Sequence, residues 1–213
     1  MDSIIEFFNQ LIDPKQLIYA GGLLLILIVV FVENGVFFGF FLPGDTLLIT
    51  TGLFCATDQL KVPLSILLVT ICISAILGSL FGYFFGKKMG ESLFHRKDTL
   101  LFKRKYIIAA EVFFLRYGGL ALIMGRFLPI LRTFAPIFAG IVKFNFKKFL
   151  TFNVLGAILW AFSMVLGGYF IGKVFPNAEK NLEYIIITIV IITWIPVIRT
   201  YLKERKNLAK KPE

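Results

Sequence analysis

Several stretches of this chain are apolar for longer than a soluble fold would bury. A helix crossing the hydrocarbon of a bilayer takes about 20 apolar residues. Residues 62–86 and 149–172 are uncharged runs of that size, and 17–32 and 184–198 are shorter ones that suffice with their flanks. These four predict spanning helices. Two further apolar stretches are interrupted: 35–57 carries Pro43, Gly44 and Asp45, and 107–142 carries Glu111, Arg116, Arg126, Pro129, Arg132 and Pro136. Charge at mid-bilayer is expensive and proline breaks the helical hydrogen-bond ladder, so each is expected to enter and leave as a re-entrant helical hairpin. The expectation is an all-α integral membrane protein with about four spanning helices and two hairpins, in one domain covering 1–213.

The same pattern repeats. At an offset of 86 residues, Gly39-Phe40-Phe41-Leu42-Pro43 falls on Gly125-Arg126-Phe127-Leu128-Pro129, and Gly82 to Lys87 falls on Gly168 to Lys173. Each unit, about 33–88 and 107–173, reads as a broken hairpin followed by a span. Small residues recur every four positions through Ser74, Gly78, Gly82, Gly86 and Gly90, a smooth face for close helix packing.

Composition agrees with the pattern. Hydrophobic residues make up 58% of the chain and charged ones 17%, and the mean hydropathy is +0.83, outside the range of soluble domains. The net charge of +10 is concentrated in three segments. Residues 87–105 hold seven Lys/Arg against two acids, 143–148 hold Lys143, Lys147 and Lys148, and 199–213 hold six Lys/Arg against two acids. Basic loops between apolar runs follow the positive-inside rule and argue against nucleic-acid binding. They place all three segments, including the 199–213 tail, in the cytoplasm. The two repeat units then lie inverted, the arrangement in which secondary transporters bind substrate between repeats. Only Lys15 supports the orientation of the N-terminal end, which carries no basic leader region. Residues 88–105 read as a basic surface segment suited to anionic headgroups.

Four charges lie within apolar sequence: Glu33, Asp45, Arg126 and Arg132. On an unbroken helix the two arginines, six residues apart, would lie about 240° round the axis from each other and so point apart. Pro129 lies halfway between them and lets them converge. Two guanidiniums at a helix break suit a phosphate, which they bind bidentately while staying protonated. Glu33 and Asp45, with carboxyl groups in a low dielectric, are candidates to carry protons. Other roles stand beside these: Asp45 as the cap of a helix starting at Pro43-Gly44, Glu33 as an interfacial residue, and the arginines as salt-bridge partners of the two acids. Asn34 could hydrogen-bond in the same site. Glu111 with Arg116 reads as an interfacial ion pair, and His95 as solvated. Cys55, Cys72, Trp160 and Trp194 read as packing or interfacial residues. One loop histidine and no acid-rich metal motif argue against an enzyme, a metal site or a cofactor.

The combination Glu33-Asn34, Phe41-Leu42-Pro43-Gly44-Asp45, Arg116-Tyr117-Gly118, Gly125-Arg126-Phe127-Leu128-Pro129, Arg132-Thr133-Phe134, Pro136 and Ala139-Gly140 resembles the DedA family of bacterial membrane proteins. That family shares the VTT (SNARE-associated) domain with eukaryotic lipid scramblases. The likeness covers roughly residues 15–200. One departure is Pro129-Ile130-Leu131-Arg132, where Pro-Gly-x-Arg is more usual. The resemblance implies paired re-entrant hairpins, membrane-embedded acids at Glu33 and Asp45, and essential arginines at Arg126 and Arg132. It further implies a proton-motive-force-dependent carrier of undecaprenyl phosphate or a phospholipid in the bacterial cytoplasmic membrane. The expected partners are a phosphate-headed lipid and protons, with a homo-oligomer left open. A proton or cation antiporter without lipid transport is the alternative.

Overall fold

A computed structural model describes residues 14–93, 112, 114 and 116–174. Its described helices are α1 Pro14–Gly35, α2 Gly44–Ala56, α3 Leu64–Leu93, α4 Leu120–Gly125, α5 Pro129–Ile141 and α6 Phe146–Val174, with helical residues up to Tyr117 before α4 and a 3-10 turn at Gly39–Phe41 between α1 and α2. The expected span 184–198, the 199–213 tail, His95, Glu111 and Trp194 lie outside the described residues.

The breaks follow from proline. A residue before proline is pushed out of the α region. Leu42 is extended (φ −75°, ψ 143°) before Pro43, and Leu128 is extended (φ −115°, ψ 112°) before Pro129. A new helix starts just after each: Pro43 precedes the first residue of α2, and Pro129 is the first residue of α5, where a missing N–H costs nothing. Pro136, expected as a further break, lies inside α5, which runs on to Ile141. It removes one ladder hydrogen bond, and its side chain rests on α3 near Gly82. Asn145 starts α6 by accepting the Lys148 N–H at 3.1 Å.

Two helices, Leu64–Gly90 and Phe146–Val174, are long and apolar enough to cross a bilayer. They run antiparallel: Cys72 meets Ala157, Asn153 meets Ile76, and Tyr83 meets Phe144 and Phe149. Residue numbers rise on one helix as they fall on the other. The helices after the two breaks pair crosswise with them. α2 lies parallel to α6, with Ile49 on Gly168 and Leu53 on Gly172, and α5 lies parallel to α3, with Ile137 on Gly86 and Ile141 on Gly90. Each unit therefore lends its post-break helix to the long helix of the other.

The expected span 17–32 lies within α1, whose course is set by a bend and by α3. α1 is bent at Gly22, whose φ of 52° suits glycine alone. It then runs parallel to α3, with Leu27 at Ser74 and Phe31 at Gly78. Gly35 ends it beside Gly78 and Gly82, short of Lys87. α1 thus ends beside the Gly78–Gly82 stretch of α3, and α2 runs back antiparallel to it. Glu33 and Asn34 lie at that end and take protein partners, Arg132 and Arg126.

Buried and exposed residues are arranged as for a protein in an apolar solvent. Ile66, Val69, Ile73, Leu77, Phe81 and Phe84 form an outward-facing stripe on α3, while Glu33, Asn34, Ser79, Arg126, Arg132 and Asn153 are buried.

Candidate functional site

The site forms where the tips of both broken segments meet the two long helices. Arg132, one turn into α5, is fully enclosed and bridges two carboxylates. Its Nη1 donates to Asp45 Oδ1 at 2.6 Å, and its Nη2 donates to Glu33 Oε1. Glu33 ends α1 and Asp45 opens α2, so one guanidinium clamps both sides of the first break from the second. Thr133 reinforces the join, its hydroxyl donating to the Glu33 backbone carbonyl at 2.8 Å. Trp160 of α6 closes the far side. Its indole N–H donates to Asp45 Oδ1 at 2.9 Å, and its ring stacks on the guanidinium, 4.7 Å from Arg132 Cζ to the ring centre. A desolvated cation–π contact of this kind contributes about 2 kcal/mol.

Arg126 is held differently. Its Nη2 donates to Ser79 Oγ at 2.9 Å, to Asn153 Oδ1, and at 3.5 Å to the Ala75 carbonyl. Its Nη1 donates to Asn34 Oδ1 at 3.4 Å. Every one of these acceptors is neutral, and among the described residues no carboxylate lies in ion-pair distance of it. The chamber thus holds two cations and two acids, but both acids sit on one cation.

The two arginines are held by different partners. Arg132 engages the acids, and Arg126 a separate neutral set. Asp45 is not the cap of α2, which has no side-chain cap hydrogen bond; its carboxylate is taken by Arg132 and Trp160. Gly44 is required by closeness: a Cβ there would overlap the Glu33 carboxylate. Arg116 is exposed and lies over the Tyr117 ring, away from the chamber. Among the described residues, no group of three or more His, Cys, Asp or Glu side chains could hold a metal.

Trp160, Ser79, Asn153 and Thr133 were not legible as site residues. Asn153 carried the one usable signal, an amide inside the uncharged run 149–172. Nothing in the sequence separates Trp160 from a packing tryptophan, and it does pack, fully buried, while also bonding Asp45. Asn34 joins the site as anticipated, through Arg126.

Residues 42–170 match the family model described as the VTT domain, a span that contains Pro43, Pro129, Asp45, Arg126, Arg132 and Asn153. This chain is a VTT-domain membrane protein of the DedA family. It is similar to Protein DedA of Escherichia coli K12, with 31% identity covering 87% of this chain and 84% of that one. It is also similar to Inner membrane protein YqjA of the same strain, with 33% identity covering 82% and 79%. An uncharacterized membrane protein of Mycobacterium tuberculosis H37Rv is 33% identical and covers 100% of this chain, which covers 97% of it. No solved structure matches the chain.

Proposed function

We propose that this DedA-family protein is a lipid translocase that carries a phosphate-headed lipid, such as undecaprenyl phosphate or a phospholipid, across the bacterial cytoplasmic membrane, coupled to protons. The observation that carries this reading is Arg126: a guanidinium buried among apolar helices, with only neutral oxygens around it. A buried cation without a counter-ion is costly, and an anion reaching it relieves that cost. Arg132 is the second binding group. A phosphate replacing one of its carboxylates leaves that carboxylate unpaired, and taking up a proton neutralises it. Binding of the anion and protonation of Glu33 or Asp45 are then one exchange. Asp45 keeps 15% side-chain exposure against 1% for Glu33, so we assign Asp45 as the first to meet a proton.

The architecture supports the same reading. Antiparallel long helices with crosswise-paired broken segments are the frame in which inverted-repeat carriers expose a central site to each side in turn. Lys87 and Lys88 on α3 and Lys147 and Lys148 on α6 lie at one end of the bundle, as the Tyr83 contacts to Phe144 and Phe149 require. We assign that end to the cytoplasm, with the protein multi-pass and its C-terminus on the same side.

Reconstitution into liposomes containing a fluorescent phosphate-headed lipid tests the proposal. Wild-type protein should move the lipid between leaflets in response to a proton gradient, and Arg126→Ala and Arg132→Ala should each fall to the rate of empty liposomes. Wild-type rates in both variants would remove the reading. The alternative, a proton or cation antiporter, draws on the acid pair, which meets on Arg132 without needing phosphate. Proton flux in liposomes with no lipid movement would favour it.

A further inference from the structure

We propose that Asn34, Ser79 and Asn153 set the charge selectivity of the chamber by holding Arg126 through neutral oxygens, so that its positive charge stays available to an entering phosphate. This rests on the carrier reading above and assigns it three further residues.

Three observations carry it. The first is the contrast within one chamber. Arg132 receives two carboxylates, whereas Arg126, equally buried, receives two amide oxygens, a hydroxyl and a backbone carbonyl. The second is orientation. Asn34 Nδ2 donates to the Val30 carbonyl at 2.8 Å, and Asn153 Nδ2 donates to the Ile76 carbonyl at 3.3 Å. With both NH2 groups taken by helix carbonyls, both Oδ1 atoms are turned onto the guanidinium. The third is confinement. Gly156, three residues after Asn153 on α6, lies so close that a Cβ there would stand 3.1 Å from Arg126 Cδ. The arginine stem packs against α6 at Gly156, and its head bonds Ala75 and Ser79 of α3.

Dipoles hold the guanidinium in place without cancelling its charge. An aspartate at 153 has the size and reach of the asparagine and would cancel it. Position and charge are therefore separable by substitution. If Asn153 only positions Arg126, Asn153→Asp should retain more function than Asn153→Ala, because it keeps an acceptor oxygen. If the neutral set preserves charge, the order reverses.

The experiment measures binding of dihexanoyl phosphatidic acid and of inorganic phosphate to full-length protein in nanodiscs, with thermal melting as the check on folding. The expected order is wild type, then Asn153→Ala, then Asn153→Asp, with the aspartate variant about tenfold or more weaker than the alanine one, the scale of one charge-assisted hydrogen bond. Should Asn153→Asp not fold, Asn34→Asp and Asn34→Ala on the opposite side of the guanidinium carry the same comparison. An aspartate variant that binds as well as its alanine counterpart, or better, overturns the charge-selectivity proposal while leaving the carrier reading intact. A wild type that binds neither probe overturns both.

Discussion

At the scale of single residues, the chamber is an exercise in pairing buried charge. Removing one member of a buried ion pair leaves the other unpaired and costs about 3–5 kcal/mol. Arg132→Ala strands both Glu33 and Asp45, and it should lower the melting temperature of the purified protein far more than Glu33→Gln, which leaves Arg132 one carboxylate. Arg132→Lys should not rescue it, because an ammonium lacks the planar fork that reaches two carboxylates at once. Trp160→Phe keeps a ring under Arg132 but removes the hydrogen bond to Asp45. It should cost about 1–3 kcal/mol in denaturant unfolding, and Trp160→Ala more. Gly44→Ala places a methyl on the Glu33 carboxylate, so a translocation assay should show a loss that a glycine-to-alanine change on an open helix face would not.

At the scale of elements, the parallel pairs α2–α6 and α3–α5 position the residues of the site. Gly140 and Gly168 let backbone meet backbone. A Cβ at Gly140 would overlap the Tyr83 carbonyl, and one at Gly168 would overlap the Ile49 carbonyl. Gly167, the next residue to Gly168, has nothing within 4 Å of such a Cβ. Gly168→Val should therefore separate α2 from α6 and abolish the folded, monodisperse peak in size-exclusion chromatography, whereas Gly167→Val should leave it unchanged. On α3 the sequence repeat and the packing repeat differ by four residues. An offset of 86 lays Gly82 and Gly86 on Gly168 and Gly172, but the residues of α3 that receive α5 as Gly168 and Gly172 receive α2 are Gly86 and Gly90. The run of glycines at four-residue spacing on α3 is what permits that slip, since adjacent turns offer the same smooth surface.

At the scale of the whole molecule, the antiparallel long helices determine which ends share a side. Lys88 and Lys147 belong to one end, and Lys61 and Lys173 to the other. In a background with Cys55 and Cys72 replaced by alanine, single cysteines at 88 and 147 should label with a membrane-impermeant maleimide only from the inner side of oriented vesicles. Cysteines at 61 and 173 should label only from the outer side. Labelling of 88 and 147 from opposite sides would contradict the helix directions.

What the sequence determined by itself is what depends on local chemistry and on solvent. The lengths of the apolar runs around α3 and α6, the breaks at Leu42-Pro43 and Leu128-Pro129, and the anomaly of four charges in apolar surroundings are properties of neighbouring residues, and the fold retains them. The tertiary structure alone decided partnership. A pattern along one helix cannot say that Arg132 takes both acids while Arg126 takes Asn34, Ser79 and Asn153, because those contacts join residues 27 to 99 positions apart. Nor could it say that α1 stops beside Gly78, that Pro136 is absorbed within α5, or that Trp160 serves the site. Each is settled by which surface the neighbouring helix presents at that depth. In an apolar interior every buried polar group has to find its partner within the protein, and only the packing of all the helices together fixes which one is in reach.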